Sequence, residues 1–442
     1  MQNPTDLPIF KDAAAALKKN DLGGWTRPTP GLYPHQWFWD SCFIAIGLAH
    51  LDVGRAQQEL RSLLRGQWKN GMLPHVVFSD STEYHAGPEV WQSHRHPEAP
   101  EGIQTTAITQ PPMLAEAVIR IARLLGPEER RAWLQEMYEP LVRYHAWLYR
   151  ERDPYDEGLV FLLHSWESGL DNLPPWMHAI RPHQPLKVRT AEQLNLDKLL
   201  DRLRKDTKQV QSSERIRAGE LFTLYHLVNR MRRVNYDIER IVEDRNVPLV
   251  TDVVFNALLI RANSILAEIA LEIDETLPPT LAASARKATH ALQTLQRADG
   301  SFLNRDFRSR AFINEPSIAT FMPLYSGALD SSQAERLVAL LRNEQTFWLK
   351  HPVPSTPINS AYFTPRRYWQ GPTWINMNWL IIDGLRRYGY EELAAEIRTK
   401  TLALVEKGGM YEDFSPMDGT GAGSKPFSWT AALTIDLLSE QS

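Results

Sequence analysis

The chain has 442 residues, 43% of them hydrophobic and 23% charged, enough to bury a large core in two or three domains or in one closed architecture. Its 49 basic and 53 acidic side chains leave a net charge of −4, which gives no basis for binding nucleic acid or an acidic membrane. Cys42 is the sole cysteine, so an intrachain disulfide is excluded and a reducing compartment is favoured.

The first residues, Met1-Gln2-Asn3-Pro4-Thr5-Asp6, lack a basic start followed by an apolar core. No stretch reads as the ~20 apolar residues that cross a bilayer. The expectation is a soluble, cytoplasmic protein with no membrane partner. Aromatic content is high: 14 Trp stand beside 30 Pro, and many of the Trp fall near Gly and Pro.

Apolar residues recur at helical spacing over 43–51, 56–64, 113–125, 133–149, 253–273, 281–295, 334–341, 374–388, 391–405 and 429–438. Strand patterns are few, the best being 76–78 and 159–161, so the chain reads as all-α. Loops rich in Pro and Gly fall at 23–36, 71–112, 152–185, 299–330, 350–373 and 407–427. Helix pairs separated by long aromatic loops fit an α/α toroid, in which inner helix ends and loops line one pocket. The stretch 187–245 differs, with dense charge and no Gly or Pro before Gly219. It reads as a helical hairpin, either a cap over the pocket or two ordinary exposed helices. The predicted organisation is a barrel in two parts, 1–186 and 246–442, interrupted by this insertion.

Four aromatic segments carry the candidate chemistry. Gly31-Leu32-Tyr33-Pro34-His35-Gln36-Trp37-Phe38-Trp39-Asp40 sets aromatic rings and an acid just ahead of a helical run. Asp40 can accept bonds from vicinal sugar hydroxyls while Trp37 or Trp39 packs on a ring face. Ser165-Trp166-Glu167-Ser168-Gly169-Leu170-Asp171-Asn172 is a turn-rich acidic loop, and Pro174-Pro175 is predicted to keep a helix from starting directly after it. A carboxyl against indole loses hydration, which raises its pKa and suits it to donate a proton. Asp171 as a plain loop cap fits the same residues equally well. The third segment, Arg366-Arg367-Tyr368-Trp369-Gln370-Gly371-Pro372-Thr373-Trp374-Ile375-Asn376, is another aromatic–amide loop entering a helix. The fourth, Gly408-Gly409-Met410-Tyr411-Glu412-Asp413-Phe414-Ser415, places two acids among turn formers, and Glu412 or Asp413 could activate a water. Ser428 is placed to cap the helix that follows.

Other chemistries find little support. His94-Arg95-His96 is no metal-ligand pattern, and there is no phosphate-binding glycine loop or serine-nucleophile elbow, so no metal and no cofactor are expected.

Taken together, Tyr-Pro-x-x-Trp-x-Trp-Asp, Glu-Ser-Gly-x-Asp-Asn, Trp-x-Gly-Pro-x-Trp-x-Asn and the late Glu-x-Phe region resemble glycoside hydrolase family 63. The short bacterial members that cleave mannosylglycerate or glucosylglycerate are the most similar, over about 20–440. The resemblance implies an (α/α)6 barrel with an inserted helical cap and an inverting hydrolase. Asp171 would be its general acid and Glu412 its general base. Substrate contacts would come from Tyr33, Trp37, Trp39, Asp40, Gln110, Trp166, Gly169, Trp369, Trp374 and Asn376, and Tyr84 would lie in a gating loop over 74–102. Glycerate would be held by Arg217 and Tyr225 in the insertion, with Arg215 competing for that place and Arg366 and Arg367 as further candidates. The partner is a small-molecule glycoside, and homo-oligomerisation is compatible with the sequence. The alternatives are an α-glucosidase acting on neutral oligosaccharides or a trehalose-like disaccharide, a sugar epimerase with a pocket histidine, and a silent sugar-binding protein.

Overall fold

The computed structural model describes residues 3–81, 87–194, 204 and 206–440. Twelve of the described helices alternate between an outer and an inner layer in chain order. The first half runs α1 (Pro8–Asn20) outside, α2 (Phe38–Leu48) inside, α3 (Val53–Leu64) outside, α4 (Leu114–Ala122) inside, α5 (Pro127–Arg152) outside and α6 (Val253–Glu272) inside. It continues with α7 (Pro279–Ala291) outside, α8 (Met322–Ser326) inside and α9 (Ser331–Leu341) outside. α10 (Ile375–Arg387) inside, α11 (Glu391–Gly408) outside and α12 (Ser428–Ser439) inside complete it. Each inner helix packs on the next, α2 on α4, α4 on α6, α6 on α8, α8 on α10, α10 on α12 and α12 back on α2. The result is a closed (α/α)6 barrel.

The sequence explains the two layers. Every residue of α2 is buried, which suits a helix apolar on all faces and packed between neighbours. An outer helix such as α3 buries one stripe, Ala56, Glu59, Leu60, Ser62 and Leu63, while the second half of α5 is covered on nearly every face. Where α2 meets α12 the backbones nearly touch. A Cβ at Gly47 would lie 2.3 Å from the Ala432 backbone, so closure of the ring there requires glycine.

Some expectations shift. α1, whose alanine-rich stripe lies outside the helical runs named above, and α8, too short to show a period, both belong to the barrel. α2 begins at Phe38, so Asp40 sits in its first turn rather than in the loop before it. Pro174 and Pro175 do not prevent a helix; they open one, Pro174–Ile180, at positions whose N–H groups need no intrahelical partner. Ser428 does not cap α12; its hydroxyl donates to Arg27 O at 2.7 Å and accepts from Asn20 Nδ2 at 2.8 Å, pinning α12 to the outer layer. α6 is, against expectation, long and apolar enough to cross a membrane, but most of it is buried inside the barrel.

Three small antiparallel sheets order the loops at the end where the inner helices begin. Gln36–Trp37 pairs with Val76–Val77, Phe161–Leu162 with Val250–Thr251 and then Arg305–Asp306, and Asp413–Phe414 with Gly421–Ala422. The chain between α5 and α6 contributes the helices Leu186–Gln193, Ala218–Arg233 and Ile238–Glu243, and its Arg215, Leu221 and Tyr225 line a cavity at this same end. Its charged run 198–206 lies outside the described residues except Arg204 and Asp206.

At the opposite end the barrel is plugged by charge. Glu116 on α4 is buried and bonded to Arg120 Nε at 2.7 Å, to Tyr325 Oη at 2.8 Å and to Arg261 at 3.4 Å. Asp436 on α12 accepts from Trp379 Nε1 at 2.7 Å and lies 2.8 Å from His50 Nε2. The Arg120 guanidinium spans the gap, 3.6 Å from Asp436, 3.7 Å from Asp383 and 4.3 Å above the Trp379 ring.

Candidate active site

Two adjoining cavities open among the loops at the N-terminal ends of the inner helices. The inner one is lined by Trp37, Trp39, Asp40, His75, Gln110, Gly169, Trp369, Glu412, Phe427 and Trp429. The outer one is lined by Gly31, Leu32, Asp206, Lys208, Gln209, Arg215, Ile216, Leu221 and Tyr225. Tyr33, Trp166, Asp171 and Tyr368 form the boundary and line both.

Asp171 is presented by a loop whose geometry follows from its sequence. The 3-10 turn Ser165–Ser168 ends at Gly169, whose φ of 72° favours glycine. A Cβ there would also stand 2.5 Å from the Trp39 indole, so Gly169 lets the loop lie flat on that ring. Within the same motif Glu167 is turned away from the cavities. Arg152 Nη2 donates to it at 2.9 Å, and Leu163 N donates at 2.6 Å, so Glu167 is a buried structural carboxylate. Asp171, by contrast, is bonded to a neutral partner, the Tyr368 hydroxyl at 2.9 Å from Oδ2. Burial pushes its pKa up to about 7 against the pull of Tyr368 and Arg215, and the nearby Glu412 adds to the rise.

Glu412 faces Asp171 across the boundary. Its Oε1 accepts from Tyr33 Oη at 2.8 Å and Arg215 Nη1 at 3.3 Å, and its Oε2 accepts from Ser424 N and Oγ, both at 3.0 Å. Four donors surround this carboxyl group. Asp413, the rival next door, is buried but lines neither cavity, and burial beside Glu412 and Glu214 raises its pKa well above the usual range. Strand alternation is the reason: one residue along Asp413–Phe414 turns the side chain to the other face.

Arg215 bridges the two cavities. It lies 3.3 Å from Glu412 and 3.5 Å from Asp206, with its guanidinium 4.3 Å from the Tyr368 ring centre and 5.5 Å from that of Tyr33. Asp206 is itself held by Arg204 at 2.6 Å. Tyr368 has φ 45°, a sparsely populated conformation for a non-glycine residue, which turns its hydroxyl toward Asp171.

Most of the sequence candidates meet here, though not all. Tyr33, Trp37, Trp39, Asp40, Gln110, Trp166, Gly169, Tyr225 and Trp369 line the cavities. Trp374 stands behind the wall, stacked on Trp369 with ring centres 3.7 Å apart, and Asn376 is buried and lines neither cavity. Arg217 is placed elsewhere: it is exposed at the start of the helix Ala218–Arg233 and lines a separate cleft with Arg367. Arg215, two residues earlier, lines the outer cavity. Arg366 is bound outside to Glu214, at 3.0 Å from Nε. Tyr84 and the tip of its loop, 82–86, lie outside the described residues. Sequence reasoning missed Tyr368, His75, Phe427 and Trp429. Tyr368 lies inside the third aromatic segment and Trp429 directly follows Ser428, so the aromatic signal is present in the sequence without a way to orient it.

Among the described residues no group of three or more His, Cys, Asp or Glu is arranged to hold a metal ion.

Residues 33–430 match the family model described as the mannosylglycerate hydrolase MGH1-like glycoside hydrolase domain. The chain belongs to this family. It is 38% identical to a mannosylglycerate hydrolase of Rubrobacter radiotolerans, covering 98% of this chain and 97% of that protein. It is 35% identical to a glucosylglycerate hydrolase of Mycolicibacterium hassiacum, covering 98% of each. Its fold is similar to that of the GH63 mannosylglycerate hydrolase from Thermus thermophilus in complex with Tris and D-glycerate. That comparison has a TM-score of 0.86 and 35% identity, over 97% of this chain and 99% of the other. Glycoside hydrolase family 63 is therefore the family, and the chain is a glycosidase by membership as well as by the paired carboxyl groups at its cavities.

Proposed function

We propose that this protein hydrolyses 2-O-α-mannosylglycerate, 2-O-α-glucosylglycerate or both, releasing the sugar and glycerate with inversion at the anomeric carbon. The observation that carries the reading is the unequal pair. Asp171 is held toward its protonated form, while Glu412, which lines the inner cavity with it, is ringed by donors. Asp171 gives its proton to the glycosidic oxygen as that bond breaks. Glu412 takes a proton from the water attacking the opposite face of the sugar, so the α-glycoside yields the β-anomer.

The sugar fits the inner cavity, where Asp40 offers acceptors in the first turn of α2 and Trp39, Trp369 and Trp429 supply apolar faces. Glycerate fits the outer cavity, where Arg215 and Lys208 supply positive charge. A carboxylate is costly to bury unless paired, and a guanidinium can bind it through two parallel bonds. The names of the relatives, hydrolases of both glycerate glycosides, point the same way. Arg215, Leu221 and Tyr225 all come from the insertion, which supports treating 187–245 as a cap set between barrel parts 1–186 and 246–442. His75 does line the inner cavity, as an epimerase would want. Burial beside His164 lowers its pKa to about 3, and both carboxyl groups are present, so hydrolysis is favoured.

The test is incubation with both glycerate glycosides, trehalose and a neutral α-glucoside, following the released anomer by proton NMR. The β-anomer released from a glycerate glycoside is expected. Preference for the neutral substrates, or first release of the α-anomer, would overturn the reading.

A further inference from the structure

Asp171 and Glu412 are joined by an unbroken run of hydroxyl contacts. Asp171 Oδ2 lies 2.9 Å from Tyr368 Oη, Tyr368 Oη lies 3.3 Å from Tyr33 Oη, and Tyr33 Oη lies 2.8 Å from Glu412 Oε1. Both phenols are packed among aromatic rings: the buried Tyr368 on Trp369 and Trp374, and the half-buried Tyr33 on Trp37 and Phe427. The chain of four groups is therefore a fixed feature of the site.

Under the hydrolytic reading, each turnover leaves the site with its protons misplaced. Asp171 ends as a carboxylate, and Glu412 ends carrying the proton taken from water. Before the next substrate can react, one proton must travel from Glu412 to Asp171. We propose that Tyr33 and Tyr368 are the path of that return, a proton relay that resets the acid and the base within the site.

The balance closes. After bond cleavage Glu412 donates to Tyr33, Tyr33 to Tyr368, and Tyr368 to the Asp171 carboxylate. A concerted shift moves the Glu412 proton to Tyr33 Oη, the Tyr33 proton to Tyr368 Oη, and the Tyr368 proton to Asp171. Three O–H bonds break and three form; no other reactant is consumed. Afterwards the proton sits on Asp171 and Glu412 is free of it, the protonation states needed for the next attack, with Tyr33 donating to Glu412 Oε1 as it does in the structure. Each hydroxyl both gives and accepts one hydrogen bond in each state.

The surroundings favour such a shift. The Arg215 guanidinium lies 4.3 Å from the Tyr368 ring centre and 5.5 Å from that of Tyr33, so negative charge passing through either phenol oxygen is stabilised. Burial at the same time holds both phenols well above their usual pKa, so neither is left ionised when the shift is complete. Glu412 is only 1% exposed, and the cavities beside it are where the products sit until they leave. A path through the wall works while those products are still bound.

The inference rests on the hydrolytic reading and is tested separately from it. Tyr33→Phe, Tyr368→Phe and the double variant are compared with wild type on a glycerate glycoside. Proton return follows bond cleavage, so loss of the relay should lower kcat more than kcat/KM. A role in positioning alone lowers both together. Breaking a relay at either link has the same consequence. The double variant should therefore be about as slow as the slower single one, rather than slow by the product of the two losses. Added formate or imidazole, acting as a diffusible proton carrier, should raise kcat of the variants by several-fold and leave wild type unchanged. Multiplicative losses, or no rescue by either carrier, would overturn the relay. Wild type that fails to turn over a glycerate glycoside would instead overturn the hydrolytic reading.

Discussion

At each end of the inner ring the barrel buries carboxyl groups among tryptophan and tyrosine side chains, and the two ends treat them in opposite ways. At the plugged end, burial pushes Glu116 up, but Arg120 and Arg261 with the Tyr325 hydroxyl outweigh it and hold its pKa at about 2. At the open end, burial of Asp171 is opposed by one tyrosine hydroxyl and by an arginine shared with Glu412, so burial wins and the pKa rises to about 7. Asp40, Asp171 and Glu412 line one cavity at the open end, with Arg215 serving both Asp171 and Glu412; at the other end, Arg120 and Arg261 both converge on Glu116. What separates a structural acid from a chemical one here is the supply of cations within the cluster. The open end also holds Tyr368 at positive φ within the cavity wall, and the buried unpartnered donors Trp369 Nε1 and Trp429 Nε1, on rings that line the space a substrate would fill.

The largest expected effects fall on activity at the open end. Asp171→Asn should lower kcat by roughly 10³-fold while substrate still binds, because the amide keeps the shape and cannot protonate the leaving oxygen. Glu412→Gln should cost a similar amount, whereas Asp413→Asn, facing away from both cavities, should retain substantial turnover. Steady-state kinetics on the three variants decide it; loss confined to Asp413→Asn would move the base by one position.

Stability sharpens the contrast. Replacing Glu116 by Gln takes from Arg261 its carboxylate and leaves Arg120 only Asp383 and Asp436, and should cost ~3–5 kcal/mol, seen as a lower denaturation midpoint. Asp171→Asn should do the reverse above neutrality. An aspartate whose ordinary value of 3.8 rises to about 7 on folding contributes stability that is complete below 3.8 and is lost as the pH climbs through 7. The variant should therefore melt several degrees above wild type at pH 8 and close to it at pH 4. For Glu116 the sign is opposite, with stability present above its ordinary 4.5 and lost as the pH falls toward 2. A melt series in which both variants respond alike to pH would break the comparison.

Much of this contrast is visible only in three dimensions. The helical periodicity of α3, α4, α6, α10 and α11 is legible because the apolar residues repeat, and the loops between them announce the pocket end. α1 escapes notice because its buried stripe, Phe10, Ala13, Ala16 and Leu17, is half alanine, and α8 because five residues cannot show a period. The catalytic candidates stand out through their neighbours, Gly169 beside Asp171 and Tyr411 beside Glu412. Arg215 against Arg217 is a question of helix entry: Arg217 precedes the first turn of Ala218–Arg233 and points to solvent, while Arg215 lies in the extended approach to it. No residue pattern reveals which of two arginines the approach turns inward. Nor does the sequence bring Tyr33 to Tyr368 across 335 positions.

The smallest expected effects lie with the arginines. Arg215→Ala should raise KM for a glycerate glycoside sharply and weaken activity overall, since it also contacts Glu412. Arg217→Ala, in the separate cleft, should change KM by less than about two-fold, within the range of surface substitutions. If Arg217→Ala alone discriminates charged from neutral substrates, the glycerate side of the site is wrongly drawn.

The central claim is that Asp171 is a protonated acid in the working protein. Infrared titration of protein labelled with 13C-carboxyl aspartate, taken as the difference between wild type and Asp171→Asn, isolates that group. A carboxylic-acid band that is present at pH 6 and is replaced by carboxylate around pH 7 is the expected result. A difference spectrum showing only carboxylate at pH 6 would contradict the account.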